Sequence, residues 1–352
     1  MFFLGIGTAV PTTKYSQSEC WQVLQGTTTY AELTPRSRSV VQQVLTGESG
    51  IVSRHLSLAP LTEAFVLNPD TLYTRFAEHA PALAARAAER ALADAHTNPK
   101  EIDALLVSTC TGYLCPGISN YVIERLGLRP DLLALDLVGQ GCGAALPNLR
   151  TAEALLNSGR CQRALSVCVE VCSAALYVDD DLGVLISACI FGDGAGAAVL
   201  GKKPSNGSRR IQWMADNSVV KPEIRDLLRF EQRSGMLRNL LSLRVPSLAA
   251  EEVGGILDSL LAREAVQPDA ITAWIVHPGG RDVLTAIGER LKLAPGDLRH
   301  SERVLRDFGN LSSASLYFVL RDAVENSAGP GYWWMTSFGA GFSCHGALLK
   351  VE

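Results

Sequence analysis

Several things are scarce in this 352-residue chain, and each scarcity removes a class of function. Charged residues make up only 19%, the formal net charge is −4, and no dense Lys/Arg cluster is interleaved with aromatics. That leaves no electrostatic footprint for nucleic acid. No two of the nine cysteines stand in a Cys-x-x-Cys pair, so the common zinc spacings are missing and no metal is expected. Their odd number and scatter through apolar runs argue against a disulfide framework and for a reducing compartment. The opening Met1-Phe-Phe-Leu-Gly-Ile-Gly-Thr-Ala-Val-Pro11 lacks a basic n-region and breaks early at glycine and proline. A cleaved leader is therefore not expected, and a cytoplasmic location is. The run Leu182–Leu200 holds a single charge, Asp193, but its Gly-Asp-Gly-Ala-Gly interruption fits a buried turn between strands better than a membrane span.

What is present is a globular composition, 47% hydrophobic, in a chain longer than one usual core. Two domains or one duplicated unit are the natural readings, and the spacing favours duplication. Ala104–Thr109 and Ala273–Val276 both read as buried strands. Cys110 follows the first and His277 the second. Cys142 lies 32 positions after Cys110, and Asn310 lies 33 after His277, each just ahead of a helical pattern. Leu146, Leu149, Ala152 and Leu156 form the first pattern, with Gly159 as its stop. Leu316, Leu320 and Val324 form the second, before Gly329-Pro330-Gly331. Each half then closes with a glycine-punctuated apolar stretch, Ile190–Leu200 and Ser337–Leu349. The fold class expected is α/β, with halves at 1–202 and 203–352 joined near Gly201-Lys-Lys-Pro-Ser-Asn-Gly-Ser208, a linker by composition. Alanine-rich 82–95 is predicted to be a further helix with Pro81 in its first turn.

If the halves pack about a pseudo-twofold axis, the helix starts at Cys142 and Asn310 face each other. A cysteine at a helix start meets unpaired N–H groups and the positive end of the dipole, so its pKa is expected below the free value of about 8.5. His277, in Val276-His-Pro-Gly-Gly280, can pair with a thiolate, and Asn310 offers a neutral amide donor. Together they fit acyl-thioester chemistry: the thiolate takes an acyl group, and His277 and Asn310 stabilise an enolate oxygen formed by decarboxylation. Each motif alone has an ordinary structural reading. Gly-Asp-Gly-Ala-Gly lacks the Lys-Ser/Thr of a phosphate loop. Their order and spacing give the set its weight.

These residues resemble the type III polyketide synthases, the chalcone and stilbene synthase superfamily of thiolase-like fold, and the bacterial members in particular. The resemblance runs from Leu4-Gly-Ile-Gly-Thr-Ala-Val-Pro11 through Cys110-Thr-Gly-Tyr-Leu-Cys-Pro-Gly117, Gln140-Gly-Cys142, Phe191-Gly-Asp-Gly-Ala195, His277-Pro-Gly-Gly280 and Gly309-Asn-Leu-Ser-Ser-Ala314 to Phe338-Gly-Ala-Gly-Phe342. A ketoacyl synthase of the initiating type would typically show His-Gln-Ala-Asn at the histidine. The resemblance implies duplicated halves in a layered αβαβα arrangement and iterative decarboxylative condensation of an acyl-CoA starter with malonyl-CoA. The product is then a pyrone or phenolic ring. Coenzyme A thioesters would be substrates, with no other cofactor, and either coenzyme A or an acyl carrier protein would present the starter.

Carried over by position, Cys142 resembles the acyl-accepting nucleophile, and His277 and Asn310 the decarboxylation pair. Phe191 matches a gatekeeping aromatic, though it also reads as a core residue before a turn. Cys110, Thr111, Cys115, Cys172 and Ala175 fall at cavity positions. Arg54, Gly279, Gly280 and Ser312 fall near coenzyme A-binding ones, Arg54 reading equally as a surface arginine. Gly339 and Gly341 belong to the closing loop. Cys172 and Ala175 replace threonines of the plant enzymes, and such small side chains open the cavity toward a longer acyl chain. Cys115 stands where a methionine commonly reaches into a partner subunit, which implies a homodimer. Ala340 replaces the usual proline, leaving the mode of cyclisation open. Two other functions stay in view: a thiolase-fold acyltransferase or single-condensation ketoacyl synthase, and a scaffold that only binds an acyl carrier.

Overall fold

The computed structural model describes residues 1–204 and 209–352, so the 205–208 part of the expected linker lies outside the described residues. One nine-stranded sheet runs through the molecule in the order Ile271–Val276, Gly331–Gly339, Ser343–Val351, Ile211–Val220, Phe2–Ala9, Gly194–Gly201, Arg163–Glu170, Ala104–Ser108, Leu133–Leu137. Phe2–Ala9 and Ile211–Val220 pair antiparallel at its centre. Outward from there each half repeats the same sequence of contacts: two antiparallel neighbours, then a parallel one. The duplication visible in the spacing is thus a duplication of topology. Leu133–Leu137 has no counterpart in the second half among the described residues.

Strand side chains alternate between faces, and that period sorts the core into layers. In the first half Leu105, Val107, Leu165, Val167 and Val169 point outward onto the Pro69–Asp94 helix, while Ala104, Leu106, Ala164 and Cys168 point inward. In the second half Trp274, Val276, Trp334 and Leu348 face the helices Val245–Glu264 and Arg281–Leu291, while Ala273, Ile275, Trp333 and Met335 point inward. Both inner faces close on the same two helices, Ala145–Asn157 and Ser315–Glu325. The result is helix, sheet, helix, sheet, helix. Leu146, Leu149, Ala152 and Leu156 are all buried in the central layer, as their spacing predicts. A fully buried leucine there contributes roughly 2 kcal/mol.

Two local expectations need correction. The alanine-rich helix starts at Pro69, not at Pro81, because Asn68 caps it by accepting from the Thr71 N–H and Pro69 occupies the first turn. Pro81 sits inside it, where tertiary burial outweighs the lost backbone bond. The Leu182–Leu200 run is a helix, Leu182–Ile190, capped by Asp181, followed by a strand from Gly194. It is therefore not a turn between strands. Among the described residues no helix is long and apolar enough to cross a membrane.

The small residues of the Pro69–Asp94 helix let it lie directly on the first strand. A Cβ on Gly7 would come within 2.1 Å of the Ala87 carbonyl oxygen and 2.3 Å of the Ala91 nitrogen, both backbone atoms that cannot yield. Gly7→Ala is therefore expected to destabilise the fold by about 3 kcal/mol, read as a lowered midpoint in urea unfolding at unchanged slope.

Candidate active site

The central helices each begin with a short 3-10 turn, Gly141–Gly143 before one and Ser312–Ala314 before the other, and the two turns touch. This contact brings distant parts of the chain together. Gly141 holds a φ of +56° and its missing side chain leaves room for Ala340, which explains the glycine before the thiol. Gly339 packs backbone to backbone against Gln140 and Gly143, so the closing strand presses on the nucleophile turn. Gly341 lies in the following turn, its N–H donating to the Leu228 carbonyl at 3.2 Å.

Cys142, His277 and Asn310 line one cavity of about 280 Å³, together with Gly279, Gly280, Phe191 and Phe338. Asn310 is fixed at both ends of its amide. Its Oδ1 accepts from the Ser312 N–H at 2.8 Å and its Nδ2 donates to the Gly279 carbonyl at 3.0 Å. The second Nδ2 hydrogen remains for a ligand. His277 follows the strand Ile271–Val276, is 1% exposed, and meets Phe338 edge-on at 5.1 Å between ring centroids. Neither of its ring nitrogens has a hydrogen-bond partner among the described residues. Burial alone lowers its pKa to about 3, so the imidazole is neutral.

The thiol behaves differently from its sequence-based expectation. Burial pushes Cys142 up to about 12, outweighing the hydrogen bond from Ser312 Oγ, which lies 3.2 Å from the sulfur. No imidazolium faces it, because His277 is held neutral. The free site therefore stores a protonated thiol rather than a thiolate.

Ser312 is placed by a left-handed backbone, φ +50°, rare for a residue with a side chain. Its hydroxyl stands 3.2 Å from Cys142 Sγ and 3.2 Å from Cys110 Sγ. The hydroxyl thus stands between the two sulfurs. Cys110 also approaches Glu170 Oε1 at 3.3 Å and gives its N–H to Oε2 at 3.0 Å. Glu170 further accepts from Ser313 Oγ and from Thr111 Oγ1, the latter at 2.9 Å. Burial raises its pKa while these bonds oppose the rise. The sequence reading passed over Glu170, although a carboxylate ending the apolar run Ala164–Val169, on the inward-facing register, was a visible signal.

Arg54 is a second correction. It is 4% exposed, and its guanidinium donates to Gln17 Oε1 at 2.9 Å and to the carbonyls of Ala188 and Phe191 at 3.0 and 2.7 Å. So engaged, it holds the Phe191 backbone and leaves no free surface for a phosphate. Thr111, Cys172, Ala175 and Ser312 line a smaller cavity that shares Phe191 with the main one. Cys110 borders a different, open pocket with Tyr73 and Tyr113, and Cys115 is exposed, away from the cavities that meet at Phe191. All nine cysteines are free.

The family described as FAE1/Type III polyketide synthase-like protein matches residues 10–220, and the chalcone and stilbene synthases, C-terminal domain, match 227–351. The chain belongs to the type III polyketide synthase family. It is 31% identical over 98% of its length to a 1,3,6,8-tetrahydroxynaphthalene synthase of Streptomyces peucetius subsp. caesius, covering 92% of that protein. It is 30% identical over 99% of its length to a 3,5-dihydroxyphenylacetyl-CoA synthase of Amycolatopsis balhimycina, again covering 92%. The C-terminal type III polyketide synthase domain of Steely1 from Dictyostelium superimposes with a TM-score of 0.89 at 26% identity, over 99% of this chain and 98% of that one. As a type III polyketide synthase the protein is a carbon–carbon bond-forming acyltransferase of thiolase-like fold.

A thiol held at about 12 gains thiolate about tenfold per pH unit through the whole neutral and mildly alkaline range. Iodoacetamide modification of Cys142 in the free enzyme, followed by peptide mass mapping with Cys142→Ala as control, is expected to climb on that slope from about pH 7 to about pH 10. A plateau near neutrality would mean that a thiolate-stabilising partner is present after all.

Proposed function

We propose that this synthase loads an acyl group from coenzyme A onto Cys142 and extends it with malonyl-CoA by repeated decarboxylative condensation. The observation carrying this reading is the shared chamber, into which one thiol, one unpaired neutral imidazole and one oriented carboxamide converge. In loading, Cys142 Sγ forms a bond to the starter carbonyl carbon as the thiol proton leaves, and the C–S bond to coenzyme A breaks, releasing its thiol. An unpaired His277 nitrogen borders the chamber and can relay that proton to the departing coenzyme A sulfur, so that the imidazole ends the step neutral.

In extension, the malonyl thioester oxygen receives hydrogen bonds from a His277 N–H and the free Asn310 Nδ2–H. The bond from Cα to the carboxylate breaks, CO₂ departs, and its electron pair forms the enolate that these two donors stabilise. The enolate carbon then attacks the acyl-Cys142 carbonyl, and the sulfur leaves. A neutral imidazole suits this task, since it donates without presenting a full charge to the carboxylate being lost. Halves 1–202 and 203–352 act as one unit, the first supplying the sulfur and the second both donors. The protein works as a homodimer in the cytoplasm, needs no cofactor beyond its thioester substrates, and accepts starters from coenzyme A or from an acyl carrier protein. The ring closes to a pyrone or a phenolic product.

His277→Ala and Asn310→Ala are each expected to lower CO₂ release from malonyl-CoA by roughly 10²–10³-fold, the effect of removing one oxyanion donor. Intact-protein mass spectrometry after incubation with acyl-CoA should show one acyl adduct in the wild type and none in Cys142→Ala. Unchanged CO₂ release in both donor variants would defeat the decarboxylation assignment. An unmodified wild type would reduce the protein to a binder.

A further inference from the structure

Two residues, Phe191 and Asn239, border both the reaction chamber and the smaller cavity of about 30 Å³ beside it, and so form the neck between them. Phe191 also borders a third cavity, of about 70 Å³, which Asn239 does not. Asn239 comes from the hairpin of Leu228–Arg233 and Met236–Leu241, in register with Phe230. The hairpin lies directly on the Leu182–Ile190 helix: a Cβ on Gly183 would come within 2.2 Å of the Leu241 carbonyl oxygen. Asn239 is buried, and its amide is anchored to that helix, where Nδ2 donates to Ser187 Oγ at 3.2 Å. Ser187 gives its own hydrogen to the Gly183 carbonyl at 2.8 Å, so its oxygen can only accept from the amide. That decides which end of the amide is nitrogen. Oδ1 therefore faces away from Ser187, and it has no partner among the described residues.

We propose that Asn239 Oδ1 accepts a hydrogen bond from the enol O–H of a β-keto intermediate growing on Cys142, holding the chain extended through the neck. The inference rests on the condensation reading above and adds to it a residue that positions the chain. His277 and Asn310 offer donors to the thioester oxygen, whereas a carboxamide oxygen calls for the opposite partner. After one extension the chain carries two carbonyls separated by one carbon. Its keto form presents only acceptors, which oppose Oδ1. Its enol form moves one proton from the carbon between the carbonyls to one of the oxygens, leaves the composition unchanged, and presents a donor. Without an outside acceptor, that O–H closes on the neighbouring carbonyl and curls the chain. Asn239 competes with the curl. It also withdraws the bonded carbon from ring closure, because an enol carbon is a poor electrophile. Further extension gains over early release.

The test follows the chains bound to Cys142 by intact-protein mass spectrometry during turnover of acetyl- or hexanoyl-CoA with malonyl-CoA. Asn239→Leu is expected to lower the ratio of chains with two or more added ketide units to chains with one by about tenfold, the worth of one hydrogen bond. The loss should fall on extension rather than on loading. Asn239→Asp keeps an acceptor while the Ser187 hydroxyl can turn to donate, and should recover most of the ratio. Enolisation is read separately by loading acetoacetyl-CoA or α,α-dimethylacetoacetyl-CoA, whose central carbon has no hydrogen to move. The preference of the wild type for extending the first over the second should fall about tenfold in Asn239→Leu. Ser187→Ala, which frees the amide to turn, should shift both ratios the same way, and it carries the test if Asn239→Leu does not fold. Unchanged ratios, an Asn239→Asp variant no better than Asn239→Leu, or a loss confined to loading would overturn the enol contact while leaving acyl transfer standing. Absence of any Cys142 adduct in the wild type with every starter would strike the acyl-transfer reading itself.

Discussion

Two central helices, Ala145–Asn157 and Ser315–Glu325, whose apolar residues close the inner faces of both halves of the sheet, are the constraint on which the rest depends. Each half of the sheet has an inner face that must be covered, and the same pair of helices covers both. Because the halves repeat one topology about the antiparallel contact of Phe2–Ala9 with Ile211–Val220, the turns leading into those helices meet. The Cys142 sulfur and the Ser312 hydroxyl, 170 residues apart, end 3.2 Å from each other. Convergence of the site is thus a consequence of core packing. Loops reaching across a surface would not hold it so closely.

That same packing dictates the electrostatics. A site at the centre of five layers is desolvated by the protein around it, so the charged forms of its groups are disfavoured: the thiol rises to about 12 and the imidazole falls to about 3. A donor kept neutral and untied to any described protein group meets a ligand oxygen without a protein hydrogen bond having to break. The glutamate network works in the opposite sense. Glu170 is surrounded by Ser313, Thr111 and the Cys110 backbone, and these bonds tie the first-half strand to the second-half turn.

Much of this was legible in the residues. Leucine spacing marked the central helices, and matched offsets from Cys110 and His277 marked the duplication and hence the meeting of Cys142 with Asn310. What escaped depends on burial, which a local pattern does not encode. The thiol's position ahead of a helix pointed to a lowered pKa, but desolvation outweighs the few donors it meets. Arg54 looked like a phosphate contact from the resemblance, yet it is buried and three of its donors find Gln17 Oε1 and two backbone carbonyls inside. Pro81 looked like a helix start because its cost inside a helix is large. Asn68 and Pro69, twelve residues earlier, make the better start, and the buried alanine face carries the helix through.

Phe191 draws these strands together. It caps the Leu182–Ile190 helix, pairs with Asn310 as an isolated parallel bridge, and has its carbonyl held by Arg54 at 2.7 Å. Its backbone is therefore locked to the carboxamide side of the chamber, and its ring is the wall common to three cavities. With the main chain held on both sides, rotation about χ is the freedom left to Phe191 itself. The wall that the cavities share is thus anchored to the same backbone that positions Asn310, so the shape of the chamber and the placement of its carboxamide are fixed together.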